Sequence, residues 1–325
     1  MKQAIVADIG GTHARFAVAR YADGKVRELT DPEILKVKDF RTFEDALSAF
    51  WQTLPPAPRR LLSIAVAGPI LVRQGELYAR LTNARWEFDA FTLHRDPGKT
   101  HAGFRIQNDF EAIARALSAL EAGDMITLQG QHWDASRAFE ARATVVGPGT
   151  GLGCAIRAGR VAFATEAGHI GFAPQDAVED VLLAALRNAD ADDHVAVERV
   201  VSGEGLRRIH AVLHGRDVGA DEVPALWRAA IEGTDAAANA SLERFLAILG
   251  AVAGDLVLAH GSTTCVIAGG LGQRLAPRYA GSRFLERFSA KGAHSSMLRH
   301  CAVHVLTHPQ PGLLGAAVSV AEADR

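Results

Sequence analysis

The sequence predicts an α/β fold of two lobes, and three observations carry that expectation. A β-rich run, a glycine-rich turn and a second β-rich run occur twice, as "QAIVADIGGTHARFAVARY" and as "RATVVGPGTGLGCAIRAGRVAFA". In both, apolar alternation resumes soon after the glycines, at Phe16 and Val18 and at Cys154 and Ile156, which marks a hairpin. Elsewhere, helix-periodic segments alternate with short buried-strand runs. Finally, 325 residues is more than one hydrophobic core usually serves.

The other elements follow in order. "FRTFEDALSAFWQTL" has helical spacing, "RLLSIAVAGPI" reads as a buried strand closed by Gly68-Pro69, and "ELYARLTNARWEFD" as a hairpin or edge strand. "HAGFRI" is strand-like, and "EAIARALSALE" places Ile113, Leu117 and Leu120 on a helical stripe. The intervening "QNDF" therefore sets Asn108 and Asp109 where a strand ends and a helix begins. Further on, "DAVEDVLLAALRNA" and the run from Ser241 to His260 are helical, and "TTCVIAGG" is a buried strand ending on two glycines. "PGLLGAAVSVAEA" is a terminal helix starting at Pro311. The expected division is a small lobe at 1–108, to which the helix at 310–325 returns, and a large lobe at 109–309.

Bulk properties exclude several classes. With 35 Lys+Arg against 37 Asp+Glu, the net charge is −2 and there is no basic stripe for a nucleic acid partner. Cys154, Cys265 and Cys301 are too scattered for a disulfide framework or a metal cluster. The longest apolar stretch, "LERFLAILGAVAGDLVLAH", is interrupted by Glu243, Arg244 and Asp255 and reads as a core helix, not a membrane span. The opening residues lack signal-peptide architecture, so a cytoplasmic address is expected.

Three glycine-rich segments carry chemistry. In "DIGGT", Gly10 and Gly11 can take positive φ and turn backbone N–H groups toward an anion, and Thr12 adds a hydroxyl. Asp8 would repel phosphate, so its presence there suggests a divalent cation held through water. The plainer reading is a tight turn with an Asp cap. "GPGTGLG", Gly147 to Gly153, leads from strand to strand, unlike a Walker or Rossmann loop. Its four glycines in seven residues favour close backbone approach to a ligand. "AGGLG", with Gly269 and Gly270 just after a buried strand, suits a flat base or ribose. "QNDF" itself admits two readings: a helix N-cap, or a carboxylate at the mouth of a sheet, where α/β proteins bind ligands.

Together, "DIGGT", "GPGTGLG" and "AGG" resemble the phosphate-1, phosphate-2 and adenosine segments of the actin-like ATPase (ribonuclease H-like) superfamily. "DIGGTHARFA", "AVAGPI", "LTNARW", "IQNDFEAIA", "GPGTGLG", "EAGHIGFAP", "ERVVSGEGL", "VIAGGL" and "PGLLGAA" narrow the resemblance, over nearly the whole chain, to the bacterial glucokinase family of the non-ROK type. ROK proteins carry a cysteine-rich zinc cluster soon after the Gly-His pair; here Gly168-His169 is followed by no cysteine until 265, so no zinc is expected.

The resemblance implies a ligand cleft between the lobes and ATP-dependent phosphorylation of D-glucose to glucose 6-phosphate, feeding glycolysis, with Mg2+ assisting. It gives Asp109 the role of catalytic base, and makes Asn108, Asp109, Glu166, His169 and Glu198 the sugar ligands. Ala7, Asp8, Ile9, Gly10, Gly11, Thr12, Gly149, Thr150, Gly151, Gly269 and Gly270 fall on the nucleotide segments, with Asp8 holding Mg2+ through water. A homodimer is the family's usual state. Two departures stand out: His13 where asparagine is common after "GGT", and Gly171 where an acidic residue often follows the Gly-His-Val/Ile run. The competing readings are a kinase for another hexose or N-acetylated amino sugar, and a sugar sensor of the same fold, which would not need a base at Asp109.

Overall fold

In the computed structural model, which describes residues 1–56, 60–73, 76–81, 86–89, 101–190 and 193–324, the chain forms two compact units. The first comprises Met1–Leu120, Arg160–Ala164 and the chain from His308 onward. It opens with a hairpin of β1 (Lys2–Ile9) and β2 (His13–Ala22), with Ile9 opposite Ala14 across the glycine turn. β3 (Lys25–Leu29) and β4 (Glu33–Lys36) both pair with β2. After helix α1 (Phe43–Thr53), β5 (Arg60–Val66) runs parallel to β1. β6 (Ile70–Arg73), β7 (Glu76–Arg80) and β8 (Glu87–Asp89) make a small antiparallel sheet, whose connection at 82–85 lies outside the described residues. β9 (His101–Asn108) then pairs parallel to β5 and leads directly into α2 (Asp109–Ala116). The register aligns Ile9, Val66 and Asn108 as one row at the carboxyl edge of the three parallel strands.

Each face of this sheet has its own cover. Thr42 and Asp45 form a reciprocal capping box that starts α1. The helix then buries Phe43, Leu47 and Phe50, with the Phe50 ring stacked 5.3 Å from that of Phe16. On the other face lies the terminal helix Pro311–Ala323, buried from Gly312 through Ala321. Its Leu313, Ala316 and Ala317 pack on Val6, Ala17 and Ala19. A Cβ on its Gly315 would overlap the carbonyl oxygen of Ala112 in α2, so the two helices cross with backbone nearly touching backbone. This contact keeps α2 in the first unit, which therefore extends through Leu120, past the division expected at 108.

The second unit spans Glu121–Gly159 and Thr165–Thr307. Its strands are β10 (Met125–Gln129), β11 (Arg142–Pro148), β12 (Leu152–Ala158), β14 (Thr264–Ile267) and β15 (Ala302–Leu306), while β13 (Val161–Thr165) falls in the first unit except for Thr165. The β11–β12 hairpin is antiparallel, and β14 and β15 continue the sheet parallel to β11. That order, β12–β11–β14–β15, repeats β2–β1–β5–β9 of the first unit. The two strand–glycine turn–strand segments are thus equivalent corners of two related sheets.

The long helix Ala236–His260 is the core of this unit. Asp235 caps its start by accepting from the Ala238 N–H, and Gly261 at φ 60° ends it. At Gly250 and Gly254 a Cβ would stand only 2.9 and 3.1 Å from the carbonyl carbons of Phe284 and Phe288, so these glycines admit the helix Phe284–Ser289. The charges that interrupt its apolar run are paired: Glu243 with Arg278 at 3.2 Å, Arg244 with Glu179 at 3.0 Å, and Asp255 with Lys291 at 2.7 Å. Among the described residues no helix is long and apolar enough to cross a membrane. All three cysteines are free and buried.

Candidate active site

In the first unit, β1 brings Ala7, Asp8 and Ile9 to the sheet's carboxyl edge, and Gly10, Gly11 and Thr12 form the turn. The Gly10 N–H donates to the His13 carbonyl at 3.0 Å, and the Ala67 N–H to the Ile9 carbonyl at 2.9 Å. Neither Gly10 nor Gly11 uses the positive φ open to a glycine. The turn closes through the His13 carbonyl, and what glycine contributes there is uncovered backbone beside the exposed Thr12. Because residue 13 acts through its backbone, the departure from asparagine leaves the turn closure intact.

Asp8 stands at the start of this turn with its side chain 21% exposed and the Arg15 Nη1 3.6 Å away. Burial pushes its carboxyl above the usual carboxylate range, and Arg15 partly offsets that. A Cβ on Gly312 would come within 2.8 Å of the Asp8 carboxyl carbon, so the terminal helix begins against this carboxylate. Sequence reasoning missed Gly312; the only local signal was its place after Pro311. Among the described residues no group of three His, Cys, Asp or Glu side chains could hold a metal. A divalent ion near Asp8 fits only if phosphates and water supply most of its oxygens, which is how Mg2+ usually binds.

Within "QNDF", the helix cap is Asn108. Asn108 Oδ1 accepts from the N–H groups of Phe110 at 2.8 Å and Glu111 at 3.2 Å, while its Nδ2 donates to the Gly68 carbonyl at 3.0 Å. Asn108 is therefore the N-cap, and Gly68, in the "AVAGPI" segment, fixes its amide. Asp109 is the first residue of α2, with Oδ1 accepting from the Phe110 N–H at 3.0 Å. The helix does not need Asp109 as its cap.

In the second unit, the hairpin turn from Gly147 to Gly153 is braced from one side. The Gly149 N–H donates to the Gly151 carbonyl at 2.8 Å, and the Gly203 N–H to the Gly149 carbonyl at 2.7 Å. Trp227 Nε1 in turn holds the Gly203 carbonyl at 2.8 Å. A Cβ on Gly149 would meet nothing within 4 Å, and Thr150 is exposed. Gly269, at φ 79°, lies against this hairpin, its added Cβ 3.3 Å from the Pro148 carbonyl, and Gly270 faces open space. The structure thus brings the 149–151 and 269–270 segments together.

Glu166, His169 and Glu198 also converge, although two of them are far from the third in sequence. The short turns Ala167–His169 and Val197–Arg199 are tied by the bonds Val197 N–H to Ile170 carbonyl and Phe172 N–H to Val195 carbonyl, both 2.8 Å. This ladder places His169 Nδ1 3.5 Å from Glu198 Oε1, and His169 Nε2 3.7 Å from Glu166 Oε2. Glu166 and His169 are well exposed, whereas Glu198 is 29% exposed and its Oε2 accepts from the Leu152 N–H at 3.3 Å. Gly168 is pressed on the Leu152 carbonyl, so the same residue pins both segments. Gly171 sits in a bridge with Ala196, which uses only its backbone.

A protein-family model described as glucokinase matches residues 5–323. A glucokinase of Zymomonas mobilis subsp. mobilis is 38% identical over 325 residues, covering 98% of this chain and 97% of that protein. Among solved structures, a glucokinase from an Antarctic psychrotroph superposes with a TM-score of 0.82 at 30% identity, covering 98% of both chains. A Balamuthia mandrillaris glucokinase in complex with glucose has a TM-score of 0.74 at 22% identity, covering 98% of this chain and 93% of that one. The fold is that of the actin-like ATPases.

Proposed function

Since the chain belongs to the glucokinase family, we propose that it transfers the γ-phosphoryl group of ATP to the 6-hydroxyl of D-glucose. The products are ADP and glucose 6-phosphate. The observation that carries this reading is the convergence of Glu166, His169 and Glu198, each within 3.7 Å of a neighbour. Two carboxylates and an imidazole offer the directed hydrogen bonds that a ring of hydroxyls requires. On the first unit, Asn108, its amide oriented by Gly68, is assigned as a further sugar ligand.

Phosphoryl transfer needs an acceptor hydroxyl in line with the phosphate and a base to take its proton. Asp109 is that base. Ala7 to Thr12 and Gly149 to Gly151 hold the phosphates on backbone N–H groups, and Gly269 and Gly270 receive the adenosine. Asp8 would hold Mg2+ through water, and the ion would neutralise phosphate charge. A cytoplasmic homodimer supplying glycolysis belongs to the same reading.

The direct test is a coupled assay of purified protein with ATP and a panel of hexoses and N-acetylated amino sugars. The largest kcat/KM is expected for glucose; a larger value for an amino sugar would sink the assignment in favour of its nearest rival. Gly149→Val tests the nucleotide half. Its Cβ would meet nothing within 4 Å, so the thermal midpoint should hold while the Kd for a non-hydrolysable ATP analogue rises roughly tenfold or more. Glucose binding measured alone should not change. Unchanged nucleotide affinity in this folded variant would reduce the loop to a structural turn.

A further inference from the structure

The Glu198 carboxylate is divided between two tasks. Oε1 lies 3.5 Å from His169 Nδ1, and Oε2 accepts from the Leu152 N–H at 3.3 Å. Leu152 directly follows Gly151 in the hairpin turn. A Cβ on Gly151 would overlap Oε2 and stand 3.4 Å from the carboxyl carbon, and its three nearest heavy atoms are all from this carboxylate. Gly151 does not have a positive φ, so left-handed backbone is not the reason for a glycine here. The room is taken by Glu198.

We propose that Gly151 is a positioning residue for glucose: its missing side chain seats the Glu198 carboxylate with one oxygen on the Leu152 N–H and the other beside His169. The inference rests on the reading of Glu198 as a glucose ligand. The missing side chain of Gly151 serves the sugar, while its backbone N–H stays with the phosphates. A carboxylate anchored through one oxygen has already given up much of its rotamer freedom, so accepting a sugar hydroxyl costs less ordering. The anchor lies on the hairpin that carries Gly149 and Thr150, so the position of a sugar ligand is set by the turn assigned to the phosphates.

A methyl group at 151 must drive Oε2 away by roughly 1 Å to restore van der Waals contact. Oε2 is the end of a flexible side chain, so the fold can absorb the shift. The loss falls on the Leu152 N–H, which is deprived of its acceptor, and on Oε1, which leaves its place beside His169. Hydrogen bonds to charged groups contribute enough that the Kd for glucose should rise about 10- to 100-fold.

The test is calorimetry with D-glucose, without nucleotide, on the wild type, Gly151→Ala, Glu198→Ala and the double variant, with thermal midpoints recorded. Gly151→Ala should weaken glucose binding by that factor at a near-wild-type midpoint, and should add nothing in the Glu198→Ala background. Equal losses in both backgrounds would show general disturbance of the turn and overturn the proposal. A second arm uses Glu198→Asp, which shortens the side chain and draws the carboxylate back from residue 151. It should weaken binding by itself and make Gly151→Ala cheaper than in the wild type; an undiminished cost there also overturns the proposal. If the wild type binds glucose and Gly151→Ala binds it equally well, this inference alone fails. If the wild type does not bind glucose, the glucokinase reading fails and takes the inference with it.

Discussion

Asp109→Asn is expected to bind glucose about as well as the wild type and to turn it over at least roughly 10²–10⁴-fold more slowly, the range that general-base catalysis usually supplies. The substitution keeps the size of the side chain and an oxygen that can accept the Phe110 N–H, which Asp109 Oδ1 accepts at 3.0 Å. What it removes is the capacity to take the proton of the 6-hydroxyl. The competing account, in which this segment only starts a helix, predicts no such loss. Asn108, not Asp109, caps α2 through the Phe110 and Glu111 N–H groups, so the variant keeps its helix cap, and the charge–dipole interaction at stake is about 0.3–1 kcal/mol. Measuring kcat and the thermal midpoint on one sample separates the two. A large fall in kcat with an almost unchanged midpoint identifies the base. Wild-type turnover would leave "QNDF" as a helix start and remove the central assignment.

What was legible in the sequence was what neighbouring residues decide. Both glycine-turn hairpins could be read because alternation and turn glycines are local signals, and the terminal helix announced itself with Pro311. The position of Asn108 and Asp109 at a strand–helix junction was equally local, but which of them caps the helix was not. That depends on Gly68, whose carbonyl takes the Asn108 amide 40 residues away. Glu198 alone reads as a solvated helical residue, and only the ladder between 170–172 and 195–197 brings it to His169. Gly10 and Gly11 leave the positive φ open to them unused. A turn closed by the His13 carbonyl does not require it, whereas Gly269, bent against Pro148, does. Glycines required by a distant neighbour leave no local mark: Gly312 against Asp8, Gly315 against Ala112 and Gly168 against Leu152 all belong to this class.

Gly315→Ala is the sharpest test of that last class, and two effects of opposite sign compete in it. Glycine inside a helix is worse than alanine by about 1 kcal/mol, so propensity alone predicts a gain. Against it, the new Cβ would overlap the Ala112 carbonyl oxygen and lie 2.9 Å from the Ala112 Cα. These are backbone atoms of α2, which cannot swing aside as a side chain would. One of the two helices must move. The terminal helix is held to the sheet by Leu313, Ala316 and Ala317, and α2 is joined directly to β9, so either displacement spoils close packing. Overpacking of this kind costs typically 1–3 kcal/mol and sometimes more, and with no compliant atom at the contact a net loss of about 2 kcal/mol or more is expected. The thermal midpoint should fall by roughly 5 °C. Because α2 begins at Asp109, kcat should fall as well, although residue 315 is assigned no contact with any substrate. A midpoint equal to or above the wild-type value would mean that propensity wins, and that α2 and the terminal helix do not meet backbone to backbone.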